Sequence, residues 1–457
     1  MQRKPALGLV LGVALAARVL AFAPFATAPY AYDESYYAAV AKHIAQGRGH
    51  TLGLSRGDEA GALRPPLFSF ALAPVLALSG GSRVAARAFQ ILPSLLVVAG
   101  VFALARRRFG PRAAVAAGLA AALAPPLVHY PHFLWAENLA AILLVLVFVC
   151  LERFERERRL ADAAIAGALL GLAALTKEVW LFFAPLAAAW TAWVAQGSRS
   201  QRARAAGLFA LAAALAVAPW ALRNARQLDE PVLISSNRWF PIAMGNLFSP
   251  DAWLSDTPDE VRRGVIARAK QLPRERREDF YRELSLGLIA EQQPWWLARK
   301  ALRTALHLYA ADTQPLRFLA EGWIAPGRAA AAALVASEAI GHYALIAAGL
   351  LGLWLVPGDR FKRLLLAALL LLHGVHWIAN AVPRFLVPVL PIYALYAGAL
   401  FARPRPGARP ARWRVLGAAI CLALALLLPL PRSFGALAKA WSRAAGGSPP
   451  AAAARDM

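Results

Sequence analysis

Cysteine is nearly absent: two in 457 residues, Cys150 and Cys421, both in or beside apolar runs. A pair so placed builds neither a disulfide framework nor a cysteine zinc site. Charge is scarce too, at 17% of the chain, and acids are outnumbered, 26 Asp and Glu against 50 Lys and Arg. With 59% hydrophobic residues and a mean hydropathy of +0.48, the composition excludes an ordinary soluble domain and makes the bilayer the solvent. No repeat of solenoid length stands out, nor inverted halves of the kind many transporters carry.

A net charge of +24 would suit nucleic acid if it were spread over a surface, but no nucleic acid is expected here. The arginines fall in short segments between apolar runs: Arg106 to Arg112, Arg153 to Arg159, Arg199 to Arg204, Arg360 to Arg363 and Arg403 to Arg414. Basic residues in short loops stay on the cytoplasmic side and suit anionic headgroups, so membrane lipids are the expected partners of these loops.

A membrane helix needs roughly 20 mostly apolar residues. The run Leu7 to Phe25 follows the basic Arg3-Lys4, is too long for a signal peptide and lacks a convincing cleavage site, so it reads as the first span. It delivers the chain outside near Pro29. The run Pro66 to Leu78, about 13 residues, is too short to span and reads as interfacial or re-entrant. Successive runs then give an all-α polytopic protein of about eleven transmembrane helices. Every basic cluster falls on one side of this trace, and helical patterns fill a long hydrophilic external insertion at Asp259 to Leu272, Arg274 to Gln293 and from Trp295 towards His307. The expected organisation is an N-terminal membrane module over 1–222 with its first external loop at 30–85, an external helical domain over 223–333, a C-terminal membrane module over 334–430 and an external tail over 431–457.

Ionisable residues gather at the external ends of spans. The first loop opens Tyr32-Asp33-Glu34-Ser35-Tyr36-Tyr37 and runs to Gly47. One reading is local: Asp33 as N-cap, Glu34 on the helix dipole, Gly47 at the C-terminal turn. The other is chemical, since adjacent carboxylates beside aromatics just beyond a span suit general-base work. The next external turn, His129-Tyr130-Pro131-His132 through Trp135-Ala136-Glu137, reads either as an aromatic belt with Glu137 capping a span or as a site with Glu137 turned inward, away from lipid. A divalent metal on His129, His132 and the carboxylates is a further alternative, although the spacing matches no standard zinc motif. Lys177, Glu178, Arg223 and Arg384 each suit snorkelling taken singly. Together with Arg64 they offer cations near two carboxylates, as a phosphate leaving group requires.

The tract Tyr32 to Tyr37, the Arg64-Pro65-Pro66-Leu67-Phe68 that follows, ALARRRFG, LTKEVWLFFAP, PWALRN with PVLISSNRWFPIAMGN, and PRFLVPVLPIYAL occur in an order that resembles the bacterial GT-C glycosyltransferases. These are relatives of protein O-mannosyltransferases and of the lipid A aminoarabinose transferase. The resemblance implies a polyprenyl-phosphate-linked sugar donor, an envelope acceptor that is a lipid, a glycan or a protein, and a multi-pass protein of the bacterial inner membrane with a periplasmic site. It implies Asp33 with Glu34 as base or acceptor-orienting residues, Glu137 as second carboxylate, and Arg384 for the lipid phosphate. Lys177, Arg64, His129, Tyr130 and His132 complete the expected donor site. Two departures stand out: Lys177 where the family commonly has arginine, and Arg238-Trp239-Phe240 in place of a glycine-rich turn. A transporter or lipid flippase is the alternative function, and a non-catalytic assembly subunit a third.

Overall fold

The computed structural model describes residues 4–51, 61–228, 231–249, 251, 257–311, 313–402, 412–427 and 429–445. Asp58 and most of the last basic cluster, Arg403 and Arg409 included, lie outside the described residues. The described chain is built of helices joined by short turns.

Length and apolarity mark three helices as able to cross a bilayer: Arg83–Phe109, Arg199–Gln227 and Arg328–Leu355, of 27, 29 and 28 residues. At about 1.5 Å per residue each exceeds the roughly 30 Å hydrocarbon layer. Two bent pairs raise the number to five. These helices do not by themselves confirm the expected count of about eleven transmembrane helices. Several apolar runs form shorter helices, Ala6–Phe22, Leu67–Leu78, Leu160–Ala174 and Glu178–Val194. The run Ala113 to Val128 breaks by 64° between Leu123 and Pro125, because consecutive prolines Pro125 and Pro126 lack the amide hydrogens that would continue the helix. Hydropathy counts such pieces as spans since it measures apolarity and not continuity. The short run at Leu67–Leu78 was expected to be non-spanning, and its 12 residues agree.

Small residues set the helix contacts. A Cβ added at Gly167 would stand 2.0 Å from the Phe209 carbonyl oxygen, and one at Gly171 would stand 2.5 Å from that of Ala213. Leu160–Ala174 and Arg199–Gln227 thus pack backbone to backbone, the close approach that gives van der Waals contact where lipid supplies no hydrophobic drive between helices. Gly352 lets Arg328–Leu355 approach the Tyr396 carbonyl in the same way.

One end of the bundle collects the basic clusters with their acids. Arg107 pairs with Glu152 at 3.4 Å, Arg108 with Glu155 at 2.7 Å and with Asp359, Arg156 with Glu152 at 2.5 Å, and Arg153 with Asp162 at 3.3 Å. The helix Glu137–Glu157 carries Glu152 at this end and Glu137 roughly 22 Å away at 1.5 Å per residue. That far end belongs to the candidate site. The helices expected in the insertion form at Asp259–Gln271, Arg274–Glu291 and Trp296–Leu308. The first part of the expected tail is a helix, Leu430–Ala444, packed on Gln314–Ala320 and Arg328–Leu355.

Candidate functional site

The site forms where the first loop, the turn leading into Glu137, the break after Leu160–Ala174 and the start of Pro383–Val389 meet. Tyr32 has a φ of 54°, a region costly for a residue with a Cβ. Its ring lies against Phe318 and Trp323, with centroids at 6.2 and 6.4 Å, and its hydroxyl donates to Glu321. Tyr32, not Asp33, is the N-cap of Asp33–Ala45, and no side chain caps that helix. Of the two readings of Asp33, the local one as N-cap is thus set aside, since no side chain caps this helix and the carboxylate is taken by Arg64 and Arg384. Gly47, with φ 75°, closes the helix as expected.

Asp33 accepts from Arg64 at 2.6 Å on Oδ1 and from Arg384 at 2.9 Å on Oδ2. Arg384 also brings Nε to 3.6 Å from Glu137, which accepts from Lys177 at 2.7 Å. Five residues from four segments, Asp33 and Arg64 both in the first loop, thus form one chain of charges, three cations against two carboxylates. Aromatic faces orient the cations: Arg384 lies 4.6 Å over Trp135, and Lys177 5.0 Å over Phe385. These contacts hold the cations without neutralising them. Burial alone would raise the Asp33 carboxyl, but the charges of Arg64, Arg384 and Lys177 outweigh it and hold it down at about 2.

The other expected residues divide. Glu34 does not join this cluster. Fully buried, it accepts from Arg87 at 3.1 and 3.3 Å and from the N–H groups of Ala31 and Leu134 at 3.1 and 3.0 Å. Arg87 in turn donates to the carbonyls of Ala28 and His132. The pair ties the first loop to the next external turn and so positions Asp33 and Trp135. His129 turns to Glu338, at 2.5 Å on the helix Arg328–Leu355. His132 is fully buried, stacked on Phe25 with centroids at 5.6 Å, and neither of its ring nitrogens has a partner among the described residues. Tyr130 lines the cleft described below. A divalent metal does not fit this arrangement: Arg384 stands between the two carboxylates, the histidines face elsewhere, and among the described residues no three His, Cys, Asp or Glu side chains converge.

A cleft of about 170 Å³ opens over Asp33 and Arg384, walled also by Tyr32, Tyr130, Trp135, Gln314, Arg317 and Asn380. Gln314, Arg317 and Asn380 escaped sequence reasoning, since nothing local distinguishes them from polar residues at helix ends. A larger apolar cavity, about 440 Å³, lies between Pro66, Leu67, Phe70, Leu175 and Trp220, with Arg223 in its wall. Pro66 places it two residues from Arg64.

Residues 63–222 match the family described as Dolichyl-phosphate-mannose-protein mannosyltransferase. Comparison with curated proteins finds no match. Among solved structures, ArnT from Cupriavidus metallidurans bound to undecaprenyl phosphate aligns with a TM-score of 0.54 and 16% identity, over 96% of this chain and 78% of that one. Its apo state gives 0.51 and 15% over the same shares. The apo oligosaccharyltransferase of Archaeoglobus fulgidus gives 0.50 and 16%, over 95% of this chain and 55% of that one. At such identities the likeness is one of fold. The matched segment supplies Arg64, Glu137 and Lys177 of the charge cluster, and the fold of the chain is similar to that of ArnT.

Proposed function

We propose that this chain transfers one sugar from a polyprenyl-phosphate donor to an envelope acceptor on the side of the membrane away from the cytoplasm. The observation that carries the reading is the ion pair between Asp33 and Arg384, 351 residues apart, at the floor of a cleft with Arg64 and Lys177 alongside. A donor resident in the bilayer needs a phosphate site at a span end and an apolar place for its chain. The cations supply the first, and the cavity beside Pro66 suits the second. ArnT, of like fold, is described with undecaprenyl phosphate bound.

The chemistry is a single displacement. The acceptor oxygen forms a bond to the anomeric carbon as the bond from that carbon to the phosphate oxygen breaks, and the electron pair leaves with polyprenyl phosphate. Configuration inverts, and no glycosyl enzyme forms. In the resting site Asp33 is a weak base because two guanidiniums hold it. A donor phosphate competes for the same guanidiniums. As Arg64 and Arg384 turn to the phosphate, Asp33 is released to orient the acceptor hydroxyl and take its proton, so donor binding readies the base. Glu137 and Lys177 keep Arg384 in place. Glu34, in its buried pair, positions the loop.

The test is purified protein in lipid with synthetic donor and acceptor. Arg384→Lys should keep partial transfer, because charge survives while the two parallel hydrogen bonds to phosphate are lost. Arg384→Ala should lose nearly all of it, with the defect in donor dependence. Unchanged donor dependence in Arg384→Ala removes this residue from the site. The transporter alternative places its ionisable residues along a path through the spans, whereas the joined cluster here sits at span ends.

A further inference from the structure

Tyr32 occupies a position that turns usually give to glycine. The Glu34 N–H donates to the Ala31 carbonyl at 3.1 Å, which closes a four-residue turn with Tyr32 as its second residue. There φ is 54° and ψ is −127°, outside the left-handed well and at a place where residues with a Cβ are strained. Asp33 follows as the third residue of the turn, so the Tyr32 backbone aims the carboxylate. Burial does not impose the conformation, since Tyr32 is 49% exposed. Strain of this kind persists only where surrounding contacts over-determine it.

One short segment supplies those contacts. The Tyr32 hydroxyl donates to Glu321, and the Trp323 indole N–H donates to the same carboxylate oxygen at 2.9 Å. The Tyr32 ring rests on Phe318 and Trp323. Phe318 is fully buried, its ring 4.8 Å from that of Phe133, which stacks on Trp135 at 5.1 Å. Trp323 folds back through Gly322, at φ 78°, and donates its N–H to the Phe318 carbonyl at 2.9 Å. A clamp with a buried root at Phe318 and an exposed tip at Glu321 thus grips the strained residue beside Asp33.

The same sequence has an unstrained alternative. With Tyr32 at negative φ, Asp33 takes the N-cap position that aspartate favours, and its carboxylate turns back onto the first-turn N–H groups, away from Arg64 and Arg384. We propose that Tyr32 is a positioning residue: the clamp of Phe318, Glu321 and Trp323 holds it at positive φ, and this keeps the Asp33 carboxylate in the cleft instead of on its own helix. The inference rests on the transferase reading above, in which Asp33 is the base. Gln314 and Arg317, on the helix that carries Phe318, line the cleft together with Tyr32 and Asp33. An acceptor entering there meets the element that sets its base.

The experiment compares wild type, Tyr32→Ala and Tyr32→Gly as full-length protein in lipid nanodiscs. It measures affinity for bare undecaprenyl phosphate and turnover with a synthetic polyprenyl-phosphate sugar. Both variants delete the ring, but glycine adopts positive φ about as readily as negative, whereas alanine does not. Tyr32→Ala should lower kcat about 10- to 100-fold without raising the KM for donor. It should also bind the bare lipid about tenfold more tightly, because a withdrawn Asp33 leaves both guanidiniums to the phosphate. Tyr32→Gly should keep about tenfold more turnover than Tyr32→Ala. Adding Tyr32→Ala to Asp33→Asn should change neither quantity further. Tighter lipid binding also shows that the alanine variant is folded. If glycine and alanine lose turnover alike, or if Tyr32→Ala binds the bare lipid no more tightly than wild type, the ring acts by packing alone and the clamp is overturned, while the transferase reading stands. A wild type that binds no polyprenyl phosphate sinks that reading, and the positioning role with it.

Discussion

Replacing Asp33 by asparagine separates two properties that most active-site changes damage together. Asp33 starts the helix Asp33–Ala45 without capping it, so asparagine removes charge and leaves the helix its backbone. The carboxyl stands at about 2 against an ordinary 3.8, and at about 1.4 kcal/mol per unit its pairing favours the charged form by about 2 kcal/mol. Loss of that term lowers stability by no more than this order, well within what a folded membrane protein tolerates. The effect on the lipid phosphate has the opposite sign. At an effective dielectric of about 20, a carboxylate and a phosphate about 5 Å apart repel by about 3 kcal/mol. Halving that for partial exposure leaves about tenfold in affinity. Asp33→Asn should therefore bind bare polyprenyl phosphate about tenfold more tightly than wild type, with transfer lowered by a factor of about 10² to 10⁴, the usual worth of a base. Lipid affinity by native mass spectrometry or fluorescence, and turnover with a synthetic donor, measure the two. Near wild-type turnover refutes the catalytic role, and weaker binding of bare phosphate refutes the competition on which the mechanism rests.

Three further outcomes follow. Glu34→Ala strands Arg87 in a site where that guanidinium is 1% exposed; breaking such a pair costs about 3 to 5 kcal/mol, so thermal unfolding should show a large loss, and normal stability would contradict the positioning role. Arg64→Ala removes a cation that holds Asp33 down, so its carboxyl should rise by roughly 1 to 3 units, to roughly 3 to 5. A depressed carboxyl keeps its charge, and the stability tied to it, above its unfolded value, and loses both as pH falls through the folded one; wild type should stay active down to about pH 4, whereas Arg64→Ala should show an acid limb near its raised value, and coincident profiles would contradict it. Reporters fused at Arg107 and Arg202 should read as cytoplasmic and one at Asp279 as external; an external Arg107 overturns the orientation.

Local signals were legible. Gly47 marks a helix end because only the turn after it demands positive φ, and the helices of the insertion follow their own prolines and acidic starts. Order of motifs also pointed to Asp33, Glu137, Lys177 and Arg384. Contacts between distant segments were not legible. Arg87 looks like any charge at the edge of an apolar run, so nothing in the sequence says that it claims Glu34 and leaves Asp33 alone in the cleft. The register of the first external helix depended on the strained Tyr32, which tertiary contact with Phe318, Glu321 and Trp323 holds in place. The bend at Pro125 and Pro126 was not legible as such, because an apolar run can bend and still score as continuous.

The most direct test of the account follows the donor itself: purified protein in sealed liposomes, a polyprenyl-phosphate sugar labelled at the anomeric carbon, and an extract of envelope acceptors. Transfer at the anomeric carbon predicts that wild type releases free polyprenyl phosphate in step with labelled product of inverted anomeric configuration, and that Asp33→Asn and Arg384→Ala release neither. Movement of the intact donor across the bilayer without its cleavage, or a product of retained configuration, would contradict it.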